Sequence, residues 1–519
     1  MFKKAFNNRV VIIFIVPFFL GCLSVFSFQP FNYIFLNFII LPIIFLLLSY
    51  VNKRSKNIYR KKPYLINLFL IGYSFGIGFF LAGTHWISYS LTFEDSFKYL
   101  IPFSIVLIPM FLGLFYGLAT LLSGSFLKNN ISSVLIFSAS FGFCDFLRSK
   151  LLSGFPWNLW AYSWSAFPEA IQILNVVGFF SFNLIVVTVF CIPLLLVFKN
   201  NSRNQVAFIL GIIFLFFNYI YGSIVINQNE INLNILKKNE DKIINVKIIS
   251  PNFSLKYNLS IYEFENALEK LLKYSEPNPD KETVFVWPEG VFTGYNFSDL
   301  VKFKDLFQKT FTNKHKIIFG INTSSKEKNK NFNSLLLVNR DLEILHKYNK
   351  RKLVPFGEFL PLENFLNHYG LKKITHGFES FSKGKLNNYI ELKNFKILPL
   401  ICYEIIFPEL LQKSSPSSDL IINISEDAWF GNSIGPYQHF AKAIFRAVEN
   451  NTYLARSANK GISAVVNNKG QIIKSLRPNE AGSIEVNIPQ IDNKKSSKND
   501  LIFFTLLFTY TLIFFYIKK

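Results

Sequence analysis

The sequence predicts a membrane α-helical protein that also carries an α/β domain. The 519 residues are 50% hydrophobic with a mean hydropathy of +0.28, more apolar than an ordinary soluble fold. Apolar residues are concentrated in blocks that approach the roughly 20 residues needed to cross a bilayer. Between about residues 228 and 500, short β-rich runs alternate with helical stretches instead. We expect a membrane domain at 1–227, an α/β domain at 228–500 and a C-terminal transmembrane helix at 501–519.

Eight apolar stretches are predicted to span the membrane. Seven precede residue 230 and one ends the chain, so the α/β domain is inserted between the seventh and eighth helices. No small-residue cleavage site follows the first stretch, which favours a retained helix over a signal peptide. The stretches are Val10 to Phe28, Phe31 to Val51, Leu65 to Ser88, Leu100 to Ser125, Ile131 to Phe146, Ile171 to Phe198, Val206 to Ile226 and Leu501 to Ile517.

The short loops predict the orientation. Six basic residues separate the second and third stretches, whereas Glu94 and Asp95 dominate the next loop, so the N-terminus and the basic loop are expected in the cytoplasm. Seven crossings then place 228–500 outside the cytoplasm, and the eighth returns the C-terminus inside. Arg148 and Lys150, on a predicted outer loop, weakly oppose this orientation. The basic residues are Lys53, Arg54, Lys56, Arg60, Lys61 and Lys62.

The net charge of +22 is compatible with an anionic partner. No nucleic-acid-binding motif accompanies the charge, so we expect anionic phospholipid head groups and no nucleic acid. The histidines show no close ligand spacing, and we therefore expect no metal and no cofactor. They are His85, His315, His346, His368, His376 and His439.

Strands and helices of the α/β domain follow from local patterns. A helix is expected at Leu259 to Tyr274, where apolar residues recur at helical spacing, and others after Cys402 and at Tyr437 to Asn451. Asn467 to Gly470 indicates a hairpin turn, and Asn493 to Asn499 a polar linker. Strands are predicted at Val246 to Ile249, Val284 to Trp287, Ile317 to Asn322, Ser334 to Asn339, Ile397 to Ile401, Leu420 to Ser425, Ala464 to Val466 and Gln471 to Ile473.

One cysteine stands apart from the other three. Cys22, Cys144 and Cys191 lie in predicted spans, which leaves Cys402 alone in the α/β domain and excludes a disulfide there. In an oxidising compartment a lone thiol is a liability unless it is shielded or used. A lone cysteine at a strand end is nevertheless more often core than nucleophile. Its neighbours in the fold must decide between the two.

Two further residues complete a set for covalent acyl transfer. Glu289 and Cys402 stand where predicted strands end, and Lys350 follows Tyr348-Asn349. Open α/β sheets present reactive side chains beyond the carboxyl ends of their strands. Attack by cysteine requires a base, here Glu289, and a cation for the thiolate and oxyanion, here Lys350. Taken alone, each residue also has a structural interpretation. Glu289 could be a turn residue, and Lys350 could be a solvated surface charge.

The surroundings of these residues resemble a known family. Six segments are involved: Trp287-Pro288-Glu289, Tyr348 to Pro361, Ile401-Cys402-Tyr403-Glu404, Asp427 to Ser433 with Gly435 to His439, Gly83-Thr84-His85-Trp86, and Gly154-Phe155-Pro156-Trp157-Asn158. The segments around Glu289, Lys350 and Cys402 resemble the nitrilase superfamily, and all six together resemble, within it, the apolipoprotein N-acyltransferase family. The resemblance implies a nitrilase-like αββα sandwich inserted between transmembrane helices.

The resemblance also implies residue roles. Glu289 would be the general base, Lys350 the electrostatic stabiliser and Cys402 the nucleophile that holds the acyl group as a thioester. A second acid near Lys350 and two residues directly after the nucleophile match family positions needed for activity. These supporting residues are Glu358, Tyr403 and Glu404.

The sequence departs from the family pattern in two places. Ser425-Glu426-Asp427 stands where Ser-Asn-Asp is usual, which adds a carboxylate near the expected site. Ser250-Pro251-Asn252 and Lys256-Tyr257 stand where Gln-x-Asn and Lys-Trp are frequent. Tyr257 and Trp429 are candidate substrate-binding residues.

The function implied is phospholipid-dependent N-acylation of the α-amino group of the N-terminal diacylglyceryl-cysteine of apolipoproteins, the last step of their maturation. A monomer in the bacterial inner membrane is expected, with the catalytic domain periplasmic and both termini cytoplasmic. Two other classes remain open: a membrane-attached amidase or nitrilase that uses the same triad with water as acceptor, and a transporter with a sensing domain. The transporter predicts ionisable residues deep in several spans, and few are present.

Two other signals are interpreted as structural. Gly431 to Gly435 fits the Gly-x-Ser-x-Gly pattern, but that motif requires a serine directly between a strand and a helix. His85, within an apolar stretch, is expected to cap a membrane helix beside Trp86, although a substrate contact remains an alternative.

Overall fold

The computed structural model describes residues 8–58, 63–198, 201–325, 330–361, 380–385, 389–412, 418–491 and 500–518. The chain forms two compact units. The first comprises Met1–Thr92, Lys98–Val225 and Ser496–Lys519, and the second comprises Phe93–Phe97 and Ile226–Lys495. The predicted linker Asn493 to Asn499 lies outside the described residues.

The first unit is helical. Within the described residues, six helices are long and apolar enough to cross a membrane, and two shorter apolar helices occur at Val11–Ser27 and Leu501–Tyr516. The count of eight crossings therefore stays a prediction. The α-helices are α1 Val16–Ser24, α2 Asn37–Ile58, α3 Pro63–Thr84, α4 Ile101–Gly124, α5 Ile131–Lys150, α6 Leu174–Val177, α7 Phe179–Phe190, α8 Leu194–Val197, α9 Ser202–Leu236 and α15 Leu501–Lys518; α9 passes from the first unit into the second.

The predicted span at Ile171 to Phe198 contains Phe179–Val197, one of the six helical segments long and apolar enough to cross a membrane, but the whole stretch is not one unbroken helix. Gly178, at φ 79°, separates α6 from α7, and a turn before Pro193 separates α7 from α8. Positive φ suits glycine and ends a helix, and proline lacks the N–H that would continue one. Hydropathy alone does not detect such breaks because the residues on both sides are apolar.

Arg148 and Lys150 were also misplaced, because they belong to α5 and not to a loop. The Arg148 side chain is buried and donates to Asp145 at 3.0 Å and to the carbonyl oxygens of Phe155 and Trp157 at 2.7 and 2.8 Å. A buried charge is tolerated when it is paired and hydrogen-bonded. The pair therefore holds the Gly154-to-Asn158 segment against α5 and does not report orientation.

His85 lies at the C-terminal end of α3, where a short 3₁₀ segment, His85–Phe93, begins. Its Nδ1 lies 3.0 Å from the Ala82 carbonyl oxygen, and Trp86 Nε1 donates to Gly83 O at 3.0 Å. Such contacts satisfy carbonyl groups that have no partner inside the helix. The capping role expected for His85 agrees with this geometry.

The second unit contains two six-stranded sheets in its described residues, ordered β12-β1-β2-β3-β4-β5 and β11-β10-β9-β8-β7-β6. The predicted strands are all present, to within a few residues at their ends. The sequence prediction missed four strands, at Ile344–Asn349, Ile390–Leu392, Tyr453–Asn459 and Gly482–Pro489. The strands are β1 Ile243–Ser250, β2 Thr283–Val286, β3 His315–Ser325, β4 Lys330–Val338, β5 Ile344–Asn349, β6 Ile390–Leu392, β7 Phe395–Ile401, β8 Leu420–Glu426, β9 Tyr453–Asn459, β10 Ser463–Val466, β11 Ile472–Leu476 and β12 Gly482–Pro489.

The two sheets pack face to face. Val246 and Ile248 of the first sheet share one buried cluster with Ile422 and Ile424 of the second, while Ile249 joins a separate cluster with helix α10. Strand residues alternate between the two faces, so central strands covered on both sides are apolar throughout. The helices of this unit are α10 Ile261–Ser275, α11 Phe297–Leu300, α12 Lys304–Thr310, α13 Pro408–Gln412 and α14 Gly435–Asn450.

The strand directions bring chemistry-bearing residues together. β1, β2 and β3 are parallel, as are β7, β8 and β9. Glu289 follows β2, Cys402 follows β7 and Glu426 ends β8. Carboxyl ends of parallel strands share one edge of a sheet, which is where binding crevices form.

Candidate active site

Cys402 lies at a sharp turn between β7 and a 3₁₀ segment, Cys402–Ile406. Its φ of 48° is left-handed, which costs a residue with a side chain about 1–2 kcal/mol. Strain of this kind persists where surrounding structure enforces it and is frequent at active sites. Only 9% of the residue is exposed, so the turn presents the thiol to the interior of the site.

Lys350 bridges two carboxylates beside Cys402. Its Nζ lies 3.3 Å from Oε1 of Glu289 and 2.9 Å from Oε1 of Glu358, and Lys350 is 1% exposed. Burial lowers the pKa of Lys350, but Glu289, Glu358 and Cys402 outweigh that effect and hold its pKa well above its usual range. The side chain is therefore a fixed cation at neutral pH.

Asn333 on β4 completes this cluster, and sequence reasoning missed it. Its Nδ2 donates to Oε1 of Glu289 at 2.7 Å and to Oε1 of Glu358 at 2.8 Å. The backbone N–H of Lys350 in turn donates to the Asn333 carbonyl at 2.9 Å. Asn333 thus ties Glu289, Lys350 and Glu358 into one array. Its sequence signal, an asparagine within Asn331-Phe332-Asn333, is too weak to single out.

Glu358 is oriented by its own loop. The N–H of Val354 donates to Oε2 of Glu358 at 2.9 Å, and the Glu358 N–H donates to the Val354 carbonyl at 2.8 Å. Phe356 in this turn has φ 62°. The Pro-Phe-Gly-Glu stretch is therefore a tight turn that points its carboxylate at Lys350.

The Cys402 thiol is protonated at rest. Burial raises its pKa, Glu289 and Asp427 raise it further, and Lys350 and a hydrogen bond with Ser425 oppose them. A thiol whose pKa is raised needs a base to become nucleophilic. The adjacent carboxylate of Glu289 is suited to that task.

A buried ionic network lies behind Cys402. Ser425 donates to Oδ1 of Asp427 at 2.6 Å, and Nη2 of Arg456 donates to Oδ1 and Oδ2 at 3.0 and 2.8 Å. Nδ1 of His439 lies 3.1 Å from the same carboxylate. Burial opposes the charge of Asp427, but Arg456 and His439 outweigh it and lower its pKa. Asp427 is therefore an anchored anion, and His439 is one of the groups that hold it.

Glu404 supports the site through the backbone. Its oxygens accept from the N–H groups of Ile401 at 2.9 Å, Arg351 at 2.7 Å and Lys352 at 3.1 Å, and from the Tyr348 hydroxyl at 2.9 and 3.0 Å. The backbone segment after Lys350 and the turn that carries Cys402 are therefore both held by the Glu404 carboxylate. Glu404 therefore positions the residues of the site.

Tyr403 is half-buried, and its ring packs edge-on against Phe407 with centroids 5.0 Å apart. Burial and Glu409 raise the pKa of its hydroxyl. The neutral phenol contributes an apolar wall next to the nucleophile.

Tyr257 and Trp429 form an aromatic group with Phe93. The centroids of Tyr257 and Trp429 are 5.9 Å apart, and those of Phe93 and Trp429 are 5.4 Å apart. Burial and then Glu94 raise the pKa of Tyr257 to about 12. The sequence did not predict that Phe93, from a connection between apolar helices, would join this group.

Ser433 does not stand at a nucleophile turn, because a 3₁₀ segment, Asp427–Phe430, intervenes after β8. Its hydroxyl accepts from the Gly435 N–H at 3.0 Å, within a turn that precedes helix α14. Among the described residues, no group of three or more His, Cys, Asp or Glu is arranged to hold a metal ion. The arrangement supports covalent catalysis by a thiol with a carboxylate base and a fixed cation.

Two family models match the chain. Residues 256–496 match carbon-nitrogen hydrolase, and residues 20–192 match the apolipoprotein N-acyltransferase N-terminal domain. The two matches correspond to the α/β and helical parts of the chain.

Whole-length relatives match as well. An apolipoprotein N-acyltransferase of Rickettsia prowazekii (strain Madrid E) is 34% identical over 423 residues, which cover 81% of this chain and 83% of the relative. One from Rickettsia typhi (strain ATCC VR-144 / Wilmington) is 32% identical over 482 residues and covers 92% of each chain.

Among solved structures, Nit3 of Saccharomyces cerevisiae, a member of the nitrilase superfamily, matches with 21% identity and a TM-score of 0.36, covering 48% of this chain and 90% of that one. A CN-hydrolase superfamily protein of Xanthomonas campestris matches with 16% identity and a TM-score of 0.35, covering 47% and 90%.

Proposed function

The chain belongs to the apolipoprotein N-acyltransferase family and is an acyltransferase, and from this membership we propose that it transfers a fatty acyl chain from a phospholipid to the N-terminal diacylglyceryl-cysteine of a lipoprotein. The observation that carries the proposal is the buried array of Glu289, Lys350 and Glu358 beside the strained Cys402 turn. This array supplies a base, a cation and a nucleophile without a metal or nucleotide.

In the first half-reaction, Glu289 takes the thiol proton and Sγ of Cys402 attacks the ester carbonyl of the phospholipid. The tetrahedral oxyanion is stabilised by the Lys350 ammonium, since fixed charge in a dry site is a strong source of catalysis. The C–O bond then breaks, and the leaving alkoxide takes the proton from Glu289. The products are a lysophospholipid and a thioester at Cys402.

In the second half-reaction, the neutral α-amino group of the acceptor attacks the thioester carbonyl. The C–S bond breaks, the amine loses a proton to Glu289, and that proton passes to the departing thiolate. An amide is formed and the free thiol is restored. One nucleophile serving two substrates in turn implies ping-pong kinetics.

The helical unit has a role beyond anchoring, because both substrates are lipids and one helix would suffice as a tether. We place residues 1–227 and 501–519 in the bacterial inner membrane with both termini cytoplasmic, and residues 228–500 in the periplasm as the catalytic domain. The aromatic group of Tyr257, Trp429 and Phe93 is suited to contact an acyl chain. The enzyme acts as a monomer without a cofactor.

Incubation of the purified protein with phospholipid labelled in its acyl chain tests the proposal. A labelled thioester should form, be absent in Cys402→Ala, and be discharged onto a synthetic diacylated lipopeptide. Steady release of free fatty acid without N-acylation would instead identify a hydrolase and overturn the proposal. Absence of any labelled thioester would overturn the assignment of phospholipid as the acyl donor.

A further inference from the structure

A carboxyl group that the mechanism above does not use lies next to the base. Glu426, at the end of β8, is 2% exposed. Its Oε1 accepts from the Ala428 N–H at 3.0 Å and from Nδ2 of Asn459 at 3.0 Å, and its Oε2 lies 2.9 Å from the same Nδ2. Within the described residues, its hydrogen-bond partners are thus an amide and a peptide group and include no cation.

The surroundings favour the neutral acid. Burial raises the pKa of Glu426 well above its usual range, and Glu289 and Asp427 raise it further, against the lowering effects of Asn459 and the Ala428 N–H. A buried carboxyl group without a cationic partner keeps its proton. Oε1 accepts from two donors and Oε2 from Asn459 alone, so we place the proton on Oε2, which keeps a lone pair for the Asn459 amide.

The backbone of the same residue holds the base. The Glu426 N–H donates to Oε2 of Glu289 at 3.1 Å, while Asn333 and Lys350 occupy Oε1. The side-chain bonds to Asn459 and Ala428 fix the Glu426 backbone, and therefore the direction of this N–H. The orientation of the Glu289 carboxylate thus depends on how the neighbouring acid is held.

We propose that Glu426 is a positioning residue for the general base: as a neutral acid it aims its own peptide N–H at Glu289, and its ionisation opposes catalysis. The proposal rests on the assignment of Glu289 as the base of Cys402. A second negative charge beside Glu289 disfavours both the Cys402 thiolate and the tetrahedral oxyanion, which are themselves anionic.

The proton of Glu426 has a route to solvent. Glu426 and Gly290 line a cavity of about 290 Å³, and a Cβ at Gly290 would lie 3.1 Å from Oε2 of Glu426. Glycine at this position therefore leaves room beside the protonated oxygen. The charged groups around Glu426 are Glu289 and Asp427 in the protein interior, with Arg456 and His439 behind Asp427, and Lys256, Glu263 and Lys270 on the cavity wall.

Ionisation of Glu426 is expected only at alkaline pH. A carboxyl group whose pKa is raised stays neutral over the range in which an exposed glutamate is ionised, and it loses its proton only as the pH rises through the raised value. The opposition to Cys402 ionisation therefore develops on the alkaline side. Glu426→Gln mimics the neutral acid and removes this effect.

The test measures carbamidomethylation of Cys402 by iodoacetamide in the full-length protein in detergent, from about pH 6 to about pH 10, with the site read by mass spectrometry. Glu426→Gln should match the wild type within about twofold at neutral pH and react roughly tenfold faster at the alkaline end. Glu426→Leu should react more slowly than Glu426→Gln at every pH, because both variants lack the charge but only leucine loses the hydrogen bonds that align the base.

The matched control is Glu263→Gln, which removes a carboxylate from the same cavity wall. Glu263 is half-buried, and its pKa is lowered to about 2 by Lys256 and by donors of Ser260, so it is ionised throughout the tested range. Its variant should leave the alkaline part of the profile unchanged. Superimposable profiles for Glu426→Gln and the wild type would overturn the inference.

The phospholipid assay separates this inference from the proposed function. If labelled thioester forms in all variants but the alkylation profiles coincide, the inference about Glu426 fails and the proposed function stands. If the alkylation profiles differ as expected but no thioester forms, the inference stands and the acyl donor is wrong.

Discussion

Replacing Lys350 should separate the stability of the site from its catalysis. Lys350→Met keeps the length of the side chain but removes the cation between Glu289 and Glu358. The two Oε1 atoms share Asn333 Nδ2 as a donor at 2.7 and 2.8 Å, so they lie at most about 5.5 Å apart. At an effective dielectric constant of about 20, two unit charges at that distance repel by about 3 kcal/mol.

The repulsion has two consequences. Loss of one partner from a buried ionic group costs about 3–5 kcal/mol of folding free energy, so Lys350→Met should unfold at a clearly lower temperature. One of the two carboxyl groups should also take up a proton to relieve the repulsion. Loss of the fixed cation should slow thioester formation by about 100- to 1000-fold.

A second substitution distinguishes the two effects. Glu358→Gln removes one of the repelling charges while keeping a hydrogen-bonding group in place, so Lys350→Met/Glu358→Gln should regain most of the lost thermal stability. Thioester formation should stay slow, because the cation is still missing. The assays are thermal unfolding of the protein in detergent and single-turnover acylation by labelled phospholipid.

Two outcomes would refute this reasoning. Acylation of Lys350→Met within about tenfold of the wild type would show that Lys350 is not the stabilising cation. A double variant no more stable than Lys350→Met would show that charge repulsion is not the cause of the instability.

Three further predictions follow from the supporting residues. Glu404→Gln should lower stability by about 1–3 kcal/mol and slow acylation, because its amide cannot accept from every donor that the carboxylate now serves; unchanged thermal unfolding would contradict it. Ser425→Ala should move alkylation of Cys402 to higher pH, since the Ser425 hydrogen bond lowers the thiol pKa; a profile identical to the wild type would exclude that contact. Trp429→Ala should raise the apparent KM for phospholipid more than it lowers kcat; a loss confined to kcat would argue against a substrate contact.

Local sequence pattern predicted much of the α/β unit. β1, β7 and β8 are apolar runs with defined ends. Helix α10 has apolar residues that recur at helical spacing, and Ser260 and Glu263 form a capping box at its start. β5 was missed because Ile344–Asn349 is polar at most positions, and its strand character depends on pairing with β4. Strand propensity is largely a response to neighbours.

The candidate site was predicted in part, because only some of its residues carry a local sequence signal. Glu289, Lys350, Cys402 and Glu358 were identified from their sequence surroundings, and the structure brings them together. Asn333 was not, because a lone asparagine carries no local signal and acquires its role from the two carboxylates it contacts.

The sequence by itself determined the apolar helical class, the α/β alternation and the four residues around which the site is built, because hydrophobic periodicity and motif spacing are local properties. Only the tertiary structure decided which charges are paired. Arg148 is buried against Asp145, Asp427 against Arg456, and Glu426 faces an amide. Electrostatic energy depends on distance and burial in three dimensions, and residues far apart in the chain supply most of both.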